Sequence, residues 1–276
     1  MYENKIKQII NLALKEDIGR GDITSQSIFL ENKVVQGRFI AKEKGVVAGL
    51  KIAQMVFETI DKKTVFKLNV NDGNLVKKGQ IIAKVKGPIK SLLAAERTSL
   101  NFLQRMSGIA SLTHQFVELT KNTKTKILDT RKTAPGLRIF DKWAVFLGRG
   151  QNHRFGLYDM VLIKDNHIKV AGDVKKAIQL VKKNLQNRKI KIEVEVNTLN
   201  QLKEAVKQNV NIIMLDNMNL EEIKKAVSLV SGKVKLEVSG GVQLNNVLNI
   251  AKTGVDYISV GSLTHSAKAL DISLEI

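Results

Sequence analysis

Six short apolar runs in the second half of the chain end on residues that can do chemistry. The run at 124–130 leads into Thr130, Arg131 and Lys132, and the one at 158–165 ends on Lys164. The next two carry Glu195 and Asp216, and the last two close on Ser239-Gly240-Gly241 and on Ser259-Val260-Gly261. Between the first two runs lies GRGQNHRFG, which sets His153 and Arg154 among glycines. A polar strand end alone means little, because loops are polar by default. Six in register are harder to explain that way, and Lys164 and Glu195 sit at or inside apolar runs, where an unpaired charge is costly. Arg131, Lys132, His153, Arg154 and Lys164 would repel one another unless a ligand with several negative charges sat among them. Guanidinium forks suit carboxylates and phosphates. Glu195 and Asp216 offer the opposite polarity, for sugar hydroxyls or a divalent ion. The two glycine loops let backbone N–H groups approach a phosphate closely.

Such residues need a scaffold that brings strand ends to one face. From about residue 124 the apolar runs, rich in Val, Ile and Leu, mostly alternate with helical patterns such as DVKKAIQLVKKN and LEEIKKAVSLV. This rhythm predicts parallel strands covered by helices, in a whole or partial (β/α) barrel whose active site lies at the C-terminal strand ends. A doubly wound open sheet is the rival, but no GxGxxG follows a first strand. The first hundred residues read differently. Ile6, Ile9, Ile10 and Ala13 share a helical face, Gly19 and Gly21 break it, and residues 33–87 read as short strands with turns at Asn71-Asp72-Gly73 and Gly79. Residues 91–107 predict a helix opened by a serine cap. On it Glu96 falls among Leu92, Leu100 and Leu103, and Arg97 lies at that stripe's edge.

The 276 residues carry 45 Lys+Arg against 26 Asp+Glu, a net charge of +19, which attracts anions over the whole surface. The lysines are spread along the helices and aromatics are only 5%, a poor composition for stacking bases, so nucleic acid is not the expected partner. The absence of cysteine excludes disulfides, thiol nucleophiles and cysteine metal sites. No apolar run approaches the ~18 residues of a membrane span, and the N-terminus starts as an amphipathic helix instead of a signal segment. A soluble, cytoplasmic protein without a membrane partner is expected.

ALKEDIGRGDIT, ERTSLNFLQRMSGIA, DTRKTAPGLR, NHRFGLYDMVLIKDNH, EVEV, MLDNM, SGG and GVDYISVGSLTHS stand here in the order and spacing of the quinolinate phosphoribosyltransferases, also called carboxylating nicotinate-nucleotide pyrophosphorylases, which the chain resembles over nearly its full length. The resemblance implies an N-terminal α/β sandwich domain over 1–108 and an open α/β barrel over 109–264, with residues 265–276 packing back on the first domain. It implies a homodimer with shared active sites, or a hexamer built from such dimers. Quinolinate would be held by Arg131, His153, Arg154 and Lys164, with Arg97 from the partner subunit and Thr130 alongside. Lys132 would lie between the pyridine acid and the sugar phosphate. Glu195 and Asp216 would face the ribose of phosphoribosyl pyrophosphate and its Mg²⁺, and Ser239, Gly240, Gly241, Ser259, Val260 and Gly261 would cradle the 5′-phosphate. Lys132, Lys164, Glu195 and Asp216 are the implied catalytic set. The family usually has three glycines before Asn-His-Arg, whereas this chain has Gly148-Arg149-Gly150. Either that position needs no positive φ, or the loop differs. A related class linked to molybdate transport shares the fold. DGNLVKKGQIIAKVKG resembles half of a biotinyl or lipoyl carrier, but lacks the flanked turn lysine that carriers modify.

Overall fold

The structure is a computed structural model that describes residues 2–186 and 188–276. The chain forms two compact units.

The first unit runs to His114 and also takes in Thr133–Arg149 and Leu263–Ile276. Helix α1 (Tyr2–Ile18) buries Ile6, Ile10 and Leu14 and ends at Gly19, where φ is +53°. Asp22 caps the short α2 (Ile23–Ile28) by accepting the Ser25 N–H. Strands β1 (Val34–Ala41), β3 (Val65–Leu68) and β5 (Ile81–Pro88) form an antiparallel sheet in which the C-terminal strand Ile272–Glu275 pairs with β1. The little ribbon of β2 (Gly45–Val46) and β4 (Leu75–Val76) stands apart. The carrier-like hairpin is therefore shared between a ribbon and a four-stranded sheet. Helix α3 (Leu50–Ile60) buries Val56 and Phe57, and Phe57 meets Phe39 and Phe66 with ring centroids 5.9 and 5.8 Å away.

Helix α4 (Ile89–Thr120) is longer than the sequence pattern suggested, at 32 residues. It starts behind Pro88, and Ser91 is not its cap, because that hydroxyl donates to Asp61 Oδ2. Glu96 is half-buried, and desolvation lifts its carboxyl above the ordinary range. Arg97 is exposed on the same helix.

The second unit comprises Gln115–Lys132 and Gly150–Ser262. Its six strands are β6 (Lys126–Leu128), β7 (Val161–Ile163), β8 (Ile192–Val196), β9 (Ile212–Asp216), β10 (Lys235–Ser239) and β11 (Tyr257–Ser259). They are all parallel, in the order β6-β11-β10-β9-β8-β7. The first strand thus lies beside the last, as in a barrel, while among the described residues no ladder joins β6 to β7. The sheet is an open α/β barrel, as expected. Its helices cap themselves with side chains the sequence supplies at the right place. Asp173 opens α7 (Val174–Leu185), Thr198 opens α8 (Leu199–Val206), and Asn219 with Glu222 makes a capping box on α9 (Leu220–Val230).

One segment beyond residue 109 packs with the first compact unit. Thr133–Arg149 belongs to the first unit, not to the barrel. It contains a helix, α5 (Arg138–Leu147), whose Asp141 is fully buried and accepts two hydrogen bonds from Arg105 of α4, at 2.9 and 2.8 Å. Gly148 comes so close to α4 that a Cβ there would stand 2.5 Å from the Ala110 carbonyl oxygen. A bidentate pair on a buried carboxylate and a near backbone contact fix this segment on α4.

Arg149, where the family usually has glycine, has φ +70°. The position does require the left-handed region, and arginine occupies it at a cost of roughly 1–2 kcal/mol. Arg149→Gly relieves that strain, less the extra chain entropy of glycine. The expected result is a gain of about 0.5–1 kcal/mol, read as a melting temperature raised by about 1–3 °C in differential scanning calorimetry. An unchanged or lower melting temperature would show that the arginine side chain earns its place.

Candidate active site

The polar strand ends of the second unit converge as the parallel order requires. The end of β6 is tied to the loop 150–156 by backbone and side chain together. Gln151 N–H donates to the Ile127 carbonyl, Asp129 N–H donates to the Gln151 carbonyl, and the His153 N–H donates to Asp129 Oδ1 at 2.8 Å. Asp129 is fully buried, so this bond locks the loop to the strand. Thr130 turns the chain by accepting the Lys132 N–H on Oγ1 at 3.0 Å. Lys132 is exposed and Arg131 half-buried.

Arg131 and Arg154 are near enough to act on each other. Burial, and then the charge of Arg131, pull the Arg154 guanidinium below its ordinary pKa, against the opposing pull of Glu193 and Asp159. One Arg154 Nη1–H is anchored on the Met160 carbonyl at 3.0 Å. Two guanidiniums that feel each other's charge raise the local positive potential, which favours an anion.

Lys164 opens helix α6 (Asp165–Ala171) and puts Nζ 2.8 Å from Glu195 Oε2. The lysine side chain is 48% exposed and the glutamate 7% exposed, so the pair reaches from the strand interior to the rim. Asp216, at the end of β9, is half-buried and accepts the amide of Asn217 at 2.7 Å. Asn217 adopts φ +53° and donates its N–H to the Ser239 carbonyl, which brings the ends of β9 and β10 together. Gly240 follows with φ +91°, and a Cβ on it would land against the Asn217 side-chain oxygen. Asn246 donates to the Gly241 carbonyl at 3.0 Å, and a cavity of about 380 Å³ opens at this turn, lined by Asn217, Gly240, Gly241 and Asn246.

The second glycine loop is built otherwise than the sequence suggested. Val260 is buried and its N–H is committed to the Leu128 carbonyl at 2.9 Å, so it offers no donor to a phosphate. Ser259 is buried too, and its hydroxyl lies beside Glu237 on β10. Only Gly261 of the three remains half-exposed.

Below the rim lies a buried cluster that the sequence reading did not single out. His153 Nε2 stands 2.9 Å from Glu193 Oε2 and 3.6 Å from Glu237 Oε1, with both glutamates fully buried. Burial, and then the charge of Glu193, push the Glu237 carboxyl up to about 8, so it holds its proton at neutral pH. Glu193 and Glu195 alternate along β8, all of whose residues are buried. Two acids at spacing two in such a strand were the available signal.

Two family models match nearly the whole chain. The model of the quinolinate phosphoribosyl transferase N-terminal domain matches residues 22–107, and that of the C-terminal domain matches 109–275. The chain belongs to the quinolinate phosphoribosyltransferase family.

It is 42% identical to a probable nicotinate-nucleotide pyrophosphorylase [carboxylating] of Bacillus subtilis, over 100% of this chain and 95% of that protein. It is 45% identical to the mitochondrial quinolinate phosphoribosyltransferase [decarboxylating] 2 of Nicotiana glauca, over 98% of this chain and 82% of that protein. The crystal structure of NadC from Streptococcus pyogenes superposes with a TM-score of 0.95 at 41% identity, covering 98% of this chain and 95% of that one. The open barrel and the antiparallel N-terminal sheet are thus the quinolinate phosphoribosyltransferase fold. No helix among the described residues is long and apolar enough to cross a membrane.

Proposed function

We propose that this chain transfers the phosphoribosyl group of phosphoribosyl pyrophosphate to quinolinate, releasing pyrophosphate and CO₂ and forming nicotinate mononucleotide for NAD biosynthesis. The reading is supported by the Lys164–Glu195 ion pair at a strand end and by Arg131 and Arg154, whose charges act on each other, in a chain of this family. The two arginines and Lys164 suit the two carboxylates of a pyridine diacid, and Lys132 stands at the rim toward the sugar phosphate. Glu195 and Asp216 face ribose hydroxyls. Their hard oxygens also fit a Mg²⁺ that keeps several waters and is held mainly by substrate phosphates. When bound there, Mg²⁺ would neutralise charge on the pyrophosphate.

The chain's own groups then account for the rest. Fixed cations hold two polyanions side by side and offset their repulsion, without rearranging as charge moves. The pyridine nitrogen attacks C1 of the ribose as the bond to pyrophosphate breaks with oxocarbenium character. The ring becomes a pyridinium, and its C2 carboxylate leaves as CO₂ because the adjacent cationic nitrogen stabilises the carbanion, which then takes up a proton. No redox or Schiff-base group is needed for this sequence of bonds. The Ser239–Gly241 turn receives the 5′-phosphate.

We also infer a cytoplasmic homodimer in which Arg97 completes the partner's site. Incubation with quinolinate, phosphoribosyl pyrophosphate and Mg²⁺ should yield nicotinate mononucleotide, pyrophosphate and CO₂ in equal amounts, with nicotinate inert as acceptor. Absence of product, or preference for nicotinate, overturns the reading. The shared site has its own test. Arg97→Ala and Lys164→Ala are each inactive, and random reassortment of the two should restore about a quarter of parental activity, since half the dimers then hold one intact site. No recovery after demonstrated subunit exchange would place Arg97 in its own chain's site.

A further inference from the structure

His153 is held through its backbone and its ring. Its backbone N–H donates to the buried Asp129, and its Nδ1 accepts the N–H of Arg154 at 2.8 Å. A ring nitrogen that accepts carries no proton, so the imidazole proton sits on Nε2. That N–H faces Glu193 at 2.9 Å and Glu237 at 3.6 Å, and both carboxylates are fully buried. The ring is 7% exposed. One imidazole thus connects the end of β6, the loop 150–156, β8 and β10.

A cation is the first alternative, because His153, Glu193 and Glu237 bring ligand atoms within 4.8 Å of one another. The proton pattern opposes it. An imidazole that ligates a metal through one nitrogen donates N–H from the other, usually to a carboxylate or carbonyl. Here the other nitrogen accepts, and Nε2, which would have to offer its lone pair, bears the proton.

The same atoms bear on Arg154. Its guanidinium suffers burial and the repulsion of Arg131, and its backbone N–H is held by His153. We propose that Glu193 is a positioning residue of the pyridine-diacid pocket: it grips His153 from beneath, His153 sets Arg154, and the imidazole meets the diacid through neither ring nitrogen. This rests on the function proposed above and deepens it.

Charge and positioning predict opposite signs. Glu193 is an anion near Arg154, so losing its charge alone should tighten an incoming anion, whereas losing its grip should weaken it. Calorimetric titration of the full chain with quinolinate reads the difference. Glu193→Ala should weaken quinolinate binding by about ten- to a hundredfold while the KM for phosphoribosyl pyrophosphate moves less than about threefold, in line with the loss of a charge-assisted contact. Glu193→Gln, which keeps an acceptor for Nε2–H, should recover most of that loss.

Equal or tighter binding by a folded Glu193→Ala overturns the proposal, as does a Gln variant as weak as the Ala one. Stoichiometric Zn²⁺ or Mn²⁺ retained by the parent after dialysis and lost in Glu193→Ala overturns it in favour of a metal site. A parent that binds no quinolinate and makes no product fells the functional reading instead. Should Glu193→Ala not fold, ¹⁵N spectra of the parent decide, with His153 assigned by His153→Gln. An Nε2–H imidazole with and without quinolinate is expected, and an Nδ1–H ring, or a proton that moves on binding, refutes the inference.

Discussion

Arg131→Ala raises the KM for quinolinate by about one to two orders of magnitude, the loss of a charge-assisted contact of about 1.5–3 kcal/mol. The expectation comes from the field in which the guanidinium sits. Arg131 depresses the Arg154 pKa, so the two share one electrostatic neighbourhood. Removing one leaves the diacid with a single fork and a looser fit. Steady-state kinetics at saturating phosphoribosyl pyrophosphate read this directly. Unchanged quinolinate kinetics would take Arg131 out of the site.

Gly240→Ala lowers affinity for phosphoribosyl pyrophosphate at least about tenfold, with quinolinate binding kept. A φ of +91° is strained for any side chain, by roughly 1–2 kcal/mol. The new Cβ would also press on Asn217, whose amide steadies Asp216 and whose N–H pins the end of β10. One methyl group therefore disturbs both the turn meant for the 5′-phosphate and a carboxylate meant for the ribose. Equal phosphoribosyl pyrophosphate affinity in the variant would show that this turn binds no phosphate.

What the sequence made legible follows from the physics of each element. The six barrel strands were readable because a parallel strand covered on both faces is apolar almost throughout, and the helices between them because their stripes repeat at helical period. The rim residues were readable because charge at the end of such a run is out of place. Helix α5 was not readable. Its buried face includes Asp141 and Lys142, which break the apolar stripe, and only the structure reveals that Arg105 satisfies Asp141. Helix α4 was cut short because serines and threonines interrupt its second half, where Thr113 and Thr120 turn their hydroxyls back onto carbonyls four residues earlier. The loop after β11 misled for a related reason. A Ser-Val-Gly run advertises donors, but the Val260 N–H is already engaged inside and the Ser259 side chain is buried. His153, Glu193 and Glu237 are far apart in sequence, and their meeting depends on strand order, which no local pattern encodes.

The break in the barrel has a consequence for how the molecule behaves at high concentration. An open sheet normally invites foreign strands to its borders, since unpaired backbone groups there act as a template. Here both borders, β6 and β7, are only three residues long, and Gln151 already bonds along Leu128 of β6. A stub of that length is a poor template for a growing ladder, so the gap in the barrel adds little risk of strand-by-strand association.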